Sequence, residues 1–202
     1  MAGSLERFDF QGRSLVRDVF IETGTYLGQT SDNAARAGFK HVHTIEVSDR
    51  IFALAQERFA GRTDVTPHHG SSPSVMPILC DPKLSTVFYL DGHYQGGPLD
   101  ENDPLVGECP LILELDIIRA VAWETPPIII IDDSKIFTIA AESRDDYLKN
   151  CHLDPVFWPT YQQVIDALGP AYTVYEEDDR LYCIPGKEMC LPLALSTLRS
   201  EM

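Results

Sequence analysis

Residues 16–30 read VRDVFIETGTYLGQT, and this stretch decides the fold. Residues 16–21 are the first candidate for a buried β-strand, and the glycines of segment 22–28 predict a sharp turn directly after it. A helix is expected next, and its candidate N-caps are Thr30, Ser31 and Asp32. The stretch therefore predicts a strand, a turn and a helix in succession, the repeating unit of α/β folds.

The same alternation continues along the chain. Further strands are predicted at residues 42–46, 64–68, 86–90 and 127–131, and helices at 51–61, 73–80, 110–123 and 161–168. The last strand of this series, PIIII, is apolar throughout, which is typical of a central strand covered by helices on both faces. Two β-rich runs, 172–176 and 181–184, follow and are joined by EDDR, which predicts an antiparallel hairpin.

Five strands that alternate with helices require right-handed crossovers and a mostly parallel sheet. With the two strands of the hairpin, the prediction is a Rossmann-like, doubly wound α/β fold with a mostly parallel seven-stranded sheet and an antiparallel C-terminal hairpin. No repeat or linker divides the 202 residues, so residues 1–202 are predicted to form one domain.

The charge and the cysteine pattern narrow the classes of partner. Thirty-one acidic residues against sixteen Lys and Arg give a formal charge of −15, which disfavours nucleic acid and anionic membrane surfaces as partners. Five cysteines without a CxxC pair suggest neither a disulfide framework nor a zinc ribbon. No apolar signal region or membrane span is evident, and a cytoplasmic protein is expected. A homo-oligomer is left open.

Candidate ligand-binding residues follow the first two strands. In such sheets, ligands bind beyond the carboxyl ends of the strands, where the strand order reverses. The turn after the first strand carries Gly24 and Gly28, and Glu46 ends the second strand, twenty-two residues past Gly24. This offset suits an acid that accepts hydrogen bonds from a ribose diol. A purely structural turn and a solvated acid at a helix start are the alternatives.

Acidic residues also end the fourth and fifth strands. Asp91 and the pair Asp132 and Asp133 are expected to converge on one edge, where a divalent cation such as Mg²⁺ would neutralise them. The alternative is one capping aspartate beside solvated ones. His93, just past Asp91, is a candidate proton acceptor, and a loop histidine bonded to backbone is the alternative. His68 and His69 receive no role.

Several motifs, taken in order, resemble class I S-adenosylmethionine-dependent methyltransferases, in particular bacterial proteins with a DxHYxGG segment. These motifs are ETGTYLGQT, TIEVS, HHGSS, FYLDGHYQGG, ECPLILEL and IIIIDDSKIF, and they span roughly residues 16–137. The resemblance implies that segment 22–28 surrounds the methionine part of the cofactor and that Glu46 binds the ribose. Tyr26 stands where the superfamily commonly has glycine, and Ser71 stands where related chains often have an acid near adenine. The predicted cofactor-binding residues are Glu22, Gly24, Thr25, Tyr26, Gly28, Thr30, Glu46, Ser71 and Asp91.

The acidic positions are also similar to those of metal-dependent O-methyltransferases of small molecules. That resemblance implies that Asp91, Asp132 and Asp133 hold a divalent cation, which would bind substrate oxygens and lower the pKa of a hydroxyl. The base of that subgroup falls at Tyr94, one residue past His93, and His93 with Asp91 is the catalytic prediction.

The leading hypothesis is therefore S-adenosylmethionine-dependent O-methylation of a small-molecule or sugar-like hydroxyl. An NAD(P)-dependent oxidoreductase is the first alternative, although Gly24 and Gly28 do not form the G-x-G-x-x-G register of a pyrophosphate site. A catalytically inactive binding module with this fold is the second. The methyl acceptor is left open.

Overall fold

The computed structural model describes residues 9–93 and 107–186. Within them lie seven strands and seven helices, numbered here in chain order. The strands are β1 (Val19–Thr23), β2 (His41–Glu46), β3 (Val65–His69), β4 (Thr86–Leu90), β5 (Ile128–Ile131), β6 (Tyr172–Glu177) and β7 (Arg180–Pro185). The helices are α1 (Gln29–Ala37), α2 (Asp49–Arg58), α3 (Ser72–Leu79), α4 (Leu111–Ala120), α5 (Ser134–Thr138), α6 (Ala141–Asn150) and α7 (Tyr161–Leu168).

All seven strands form one sheet in the order β3-β2-β1-β4-β5-β7-β6. Strands β1 to β5 are parallel to one another, whereas β7 runs antiparallel to both β5 and β6. The predicted fold class is thereby confirmed, including the reversed hairpin. The strand order reverses between β1 and β4, so the carboxyl ends of these two strands flank the crevice in which α/β proteins bind ligands.

Helices cover both faces of the sheet. On one face, Phe20 and Val42 pack with Ala34 of α1 and Ala55 of α2. On the other face, apolar strand residues pack against Met76 of α3, Leu115 of α4 and Val164 of α7. Successive strand residues alternate between the two clusters, as the period-two geometry of a strand requires. Among the described residues, no helix has both the length and the apolar character needed to cross a bilayer.

The predicted N-caps of α1 are wrong. The helix begins at Gln29, and Gly28 is its N-cap, in the left-handed conformation with φ 69°. The three expected caps have other partners: Thr30 and Ser31 bond Glu22, and Asp32 pairs with arginines. In contrast, Ser48 caps α2 with its side chain, because its hydroxyl accepts from the amide of Ile51. Helices α5 and α6 lie in a region without a clear sequence period.

Candidate active site

The turn after β1 is shaped by two glycines. Gly24 has φ 80°, and a Cβ on it would lie 2.2 Å from the carbonyl oxygen of Asp91. Gly28 has φ 69°, and a Cβ there would lie 2.8 Å from the Phe59 ring. Only glycine fits both the backbone conformation and the close contact. The turn after β1 therefore packs directly against the turn after β4.

Glu46 ends β2 and connects two segments of backbone. Its Oε2 accepts from the amide of Tyr26 at 3.1 Å, and its Oε1 accepts from the amide of Ser48 at 3.0 Å. The side chain is buried, whereas the Tyr26 ring and Val47 beside it are exposed. Each carboxylate oxygen can accept more than one hydrogen bond, so both retain capacity for a ligand. Glu46 is thus a fixed acceptor beside open apolar surface.

Glu22 lies beneath the turn, with its carboxylate directed into the protein. Its Oε2 accepts from Ser31 and, at 2.7 Å, from Thr44 Oγ1, and Thr30 also bonds it. Burial raises the pKa of Glu22 to about 7 despite these hydroxyl donors. Thr25 extends the network through a 2.7 Å bond to Thr44. We call Glu22, Thr25 and Glu46 the β1–β2 rim.

The turn after β3 lies at the same edge of the sheet. The hydroxyl of Ser71 donates to Ser74, and Ser71 is half-buried at the start of α3. The neighbouring His69 stacks on Phe52 with ring centroids 4.7 Å apart. Sequence reasoning assigned His69 no role, although its pairing with Glu46 at the ends of β2 and β3 places it at this edge.

A second cluster forms after β4 and β5. His93 Nε2 lies 3.0 Å from Asp133 Oδ2 and 3.7 Å from Asp91 Oδ1. Asp91, His93 and Asp133 each offer one ligand atom, and these atoms all lie within 4.8 Å of one another. Asp91 Oδ1 is buried and makes no hydrogen bond with any of the residues that the structure describes. We call these three residues the β4–β5 rim.

Burial and mutual charge shift the pKa values of this cluster. Burial, with the nearby carboxylates, raises the pKa of Asp91 well above its ordinary value. Burial alone would lower the pKa of His93, but the hydrogen bond to Asp133 and the charges of Asp91 and Asp133 outweigh it and raise that pKa. The same bond lowers the pKa of Asp133. The cluster thus favours an added positive charge, either a proton or a cation, among its acidic groups.

The predicted metal set of Asp91, Asp132 and Asp133 differs from this arrangement. Asp132 does not belong to the close group, whose third member is His93. Its Oδ2 accepts from the hydroxyl of Tyr89, and its Oδ1 pairs with Arg180 Nε at 3.2 Å. Arg180 also donates to the Tyr89 oxygen at 2.8 Å. Asp132 is therefore already neutralised by a side chain from the hairpin.

Two aromatic rings pack edge-to-face against the imidazole of His93. The rings of Trp158 and Phe137 lie with centroids 5.3 Å and 6.3 Å from the imidazole. Trp158 is fixed in turn, because its indole N–H donates to Glu108 at 2.8 Å. Glu114, a buried acid on α4, lies against the turn after β4 and was also missed by sequence reasoning.

Tyr94 and the glycines that follow it lie outside the described residues.

Similarity to solved structures is visible only in the fold. No protein-family model matches the chain, and no curated protein matches it. A methyltransferase of Podospora anserina, PaMTH1 bound to S-adenosylhomocysteine, matches with a TM-score of 0.58 and 14% identity, over 91% of this chain and 77% of its own. A provisionally named caffeoyl-CoA O-methyltransferase from Staphylococcus aureus matches with a TM-score of 0.54 and 15% identity, over 86% and 78%.

Human N-acetylserotonin methyltransferase in complex with S-adenosylmethionine gives a TM-score of 0.52 at 11% identity, over 90% of this chain and half of its own length. At such identities the likeness concerns the arrangement of strands and helices, which is the seven-stranded order found here. The chain therefore has the fold of S-adenosylmethionine-dependent methyltransferases.

Proposed function

We propose that this protein transfers a methyl group from S-adenosylmethionine to a hydroxyl oxygen of a small-molecule or sugar-like acceptor. The observation that carries the proposal is the placement of two unlike sites at the same edge of the sheet, one on each rim. Glu46 is a fixed acceptor at the end of β2, and the cluster of Asp91, His93 and Asp133 follows β4 and β5. A methyltransferase needs both a cofactor site and a site for proton removal.

The cofactor would lie across the turn after β1. Glu46 is suited to accept from the ribose hydroxyls, because backbone amides already hold its two oxygens in place. The exposed Tyr26 ring and Val47 offer apolar surface beside it. Glu22, Thr25 and Thr30 would act from beneath, by holding the turn in shape rather than by touching the ligand. Three residues of the predicted cofactor-binding set therefore support the site from below instead of contacting the cofactor.

Proton removal would occur at the β4–β5 rim. Three ligand atoms converge there, two of them carboxylate oxygens and one an imidazole nitrogen, which suits a divalent cation such as Mg²⁺ or Mn²⁺. Such an ion would lower the pKa of the acceptor hydroxyl. Asp91 Oδ1, which is buried without a hydrogen bond to residues 9–93 or 107–186, supports an occupant at this point. Without an ion, the unprotonated form of His93 is the proton acceptor, oriented by Asp133.

Titration with S-adenosylhomocysteine tests the proposal. We expect calorimetry to give a dissociation constant in the micromolar range, and no detectable binding at millimolar ligand would overturn it. A fluorescence titration with NADH covers the oxidoreductase alternative. Binding without turnover across a broad panel of hydroxylated acceptors, with and without Mg²⁺ or Mn²⁺, would support the inactive binding module instead.

A further inference from the structure

Glu114 is a buried acid on an otherwise apolar helix face. It lies on α4 with 1% of its surface exposed, among the buried Leu111, Leu115 and Ile118. Burial raises the pKa of its carboxyl, while hydroxyl donors oppose that shift. A carboxylate in such a place is costly unless its hydrogen bonds are satisfied. Its partners therefore indicate what it holds in place.

Two hydroxyl groups bond Glu114, and they come from different turns. Ser72 donates to Oε1 from the start of α3, directly after the turn that follows β3. Thr23, the last residue of β1, provides the second bond. The oxygen of Thr23 in turn accepts from the amides of Asp91 at 3.2 Å and Gly92 at 3.1 Å. Because those two amides supply their own protons, the Thr23 hydroxyl proton is available for Glu114.

Glu114 also lies against the turn after β4 directly. A Cβ built on Gly92 would be 3.1 Å from Glu114 Oε1, so the glycine allows the close approach. One carboxylate thus connects turn 70–72, after β3, with turn 91–93, after β4. In the sheet order β3-β2-β1-β4, the ends of β2 and β1 lie between these turns. The proposed cofactor site occupies that interval.

We propose that Glu114 is a positioning residue that sets the distance between turn 70–72 and turn 91–93, and with it the length of the cofactor site. The proposal rests on the proposed function, because it assigns the adenosine part to the β2 and β3 ends and the amino-acid part to the β1 and β4 ends. A ligand that spans both parts depends on the spacing. A ligand that occupies only one part does not.

Calorimetry with two probes, S-adenosylhomocysteine and adenosine, tests this dependence. For Glu114→Leu we expect the affinity for S-adenosylhomocysteine to fall at least about tenfold, and that for adenosine to change less than about threefold, since geometric misplacement affects the spanning ligand. Glu114→Gln keeps an acceptor oxygen and should restore most of the lost affinity. Thr86→Val, a buried polar site at the opposite end of β4, is the matched control and should change neither.

The outcomes separate the two proposals. Equal losses for both probes, or no loss for either, would overturn the positioning role while leaving methyl transfer intact. Failure of the unaltered protein to bind S-adenosylhomocysteine overturns the proposed function and this inference with it. If Glu114→Leu does not fold, Thr23→Val breaks the same connection to the Asp91 and Gly92 amides and should give the same selective loss. An unselective effect of that variant counts against the proposal.

Discussion

The β1–β2 rim and the β4–β5 rim use the same side-chain chemistry in opposite ways. On the β1–β2 rim, the carboxylates of Glu22 and Glu46 accept from hydroxyls and backbone amides. On the β4–β5 rim, Asp91 Oδ1 is buried without a hydrogen bond to the described part of the chain, and His93 lies between two carboxylates. The carboxylates of the β1–β2 rim thus have hydrogen-bond donors within the protein, whereas the β4–β5 rim has a buried carboxylate oxygen that lacks one among the described residues.

This difference assigns ligand recognition to the β1–β2 rim and proton or cation uptake to the β4–β5 rim. A satisfied carboxylate is held in one geometry and is suited to recognise a ligand without reorganising. An incomplete cluster with opposed pKa shifts has a strong tendency to take up a proton or a cation, which is what catalytic groups require.

Gly24→Ala should have the largest effect, because this glycine is the contact between the two rims. Its Cβ would overlap the Asp91 carbonyl oxygen, and its φ of 80° is unfavourable for alanine. We expect urea denaturation to show a free energy of unfolding lower by about 3 kcal/mol or more.

Gly61→Ala is the matched control for that variant. Gly61 has φ 78°, and a Cβ added to it would meet no described residue within 4 Å, so only the backbone strain of about 1 kcal/mol should appear. Equal losses in the two variants would mean that the rims do not depend on each other through this contact.

Glu22→Gln should raise stability at high pH. Burial raises the folded-state pKa of Glu22 from 4.5 to about 7, so the folded protein retains a proton that the unfolded chain has lost between these values. The contribution of this group is therefore most favourable below pH 4.5 and declines as the pH rises to 7. Relative to the unaltered protein, the glutamine variant should gain up to about 3 kcal/mol at about pH 8 and much less at about pH 5. A gain that does not vary with pH would contradict the assignment.

Metal binding should distinguish the two neighbouring aspartates after β5. Asp133→Asn removes a member of the close cluster, and we expect the affinity for Mn²⁺, followed by electron paramagnetic resonance, to fall at least about tenfold. Asp132→Asn should change it less than about threefold, because Arg180 and Tyr89 already occupy that carboxylate. Equal losses would restore the set predicted from the sequence.

The pH dependence of the same titration provides a second check. A divalent cation must displace the proton that the neighbouring carboxylates favour on His93, whose pKa is raised above 6.5. Affinity for Mn²⁺ in the unaltered protein should therefore increase as the pH rises above that value. An affinity that is independent of pH between about 6 and 8 would exclude His93 as a ligand.

The sequence predicted the sheet well because its strands are short apolar runs bounded by turns. PIIII and TVFYL are of this kind, and they form β5 and β4. The strand-end rule also placed Glu46, Asp91 and Asp133 at one edge. These are local inferences combined with one rule about parallel sheets. They need no knowledge of which distant side chains meet.

What was missed depends on such distant meetings. The pairing of Asp132 with Arg180 requires the register of the antiparallel hairpin against β5, which spacing along the chain does not provide. The N-cap of α1 was mispredicted because Ser31 bonds a buried acid instead of the helix. Glu114 did carry a signal, since it lies three residues after Leu111 on the apolar face of α4. A lone acid on such a face indicates a buried polar contact.

The reversal of β7 has a consequence for shortening this protein. In the parallel strands, the last residues lie at the sheet edge that carries the candidate site. In β7, which runs the other way, the first residue, Arg180, lies at that edge. A truncation just before residue 180 would leave the five parallel strands in sequence, yet it would strip the guanidinium from Tyr89 and Asp132. A fragment that keeps this arrangement of Tyr89 and Asp132 therefore extends through the hairpin, even though every proposed reacting group precedes it.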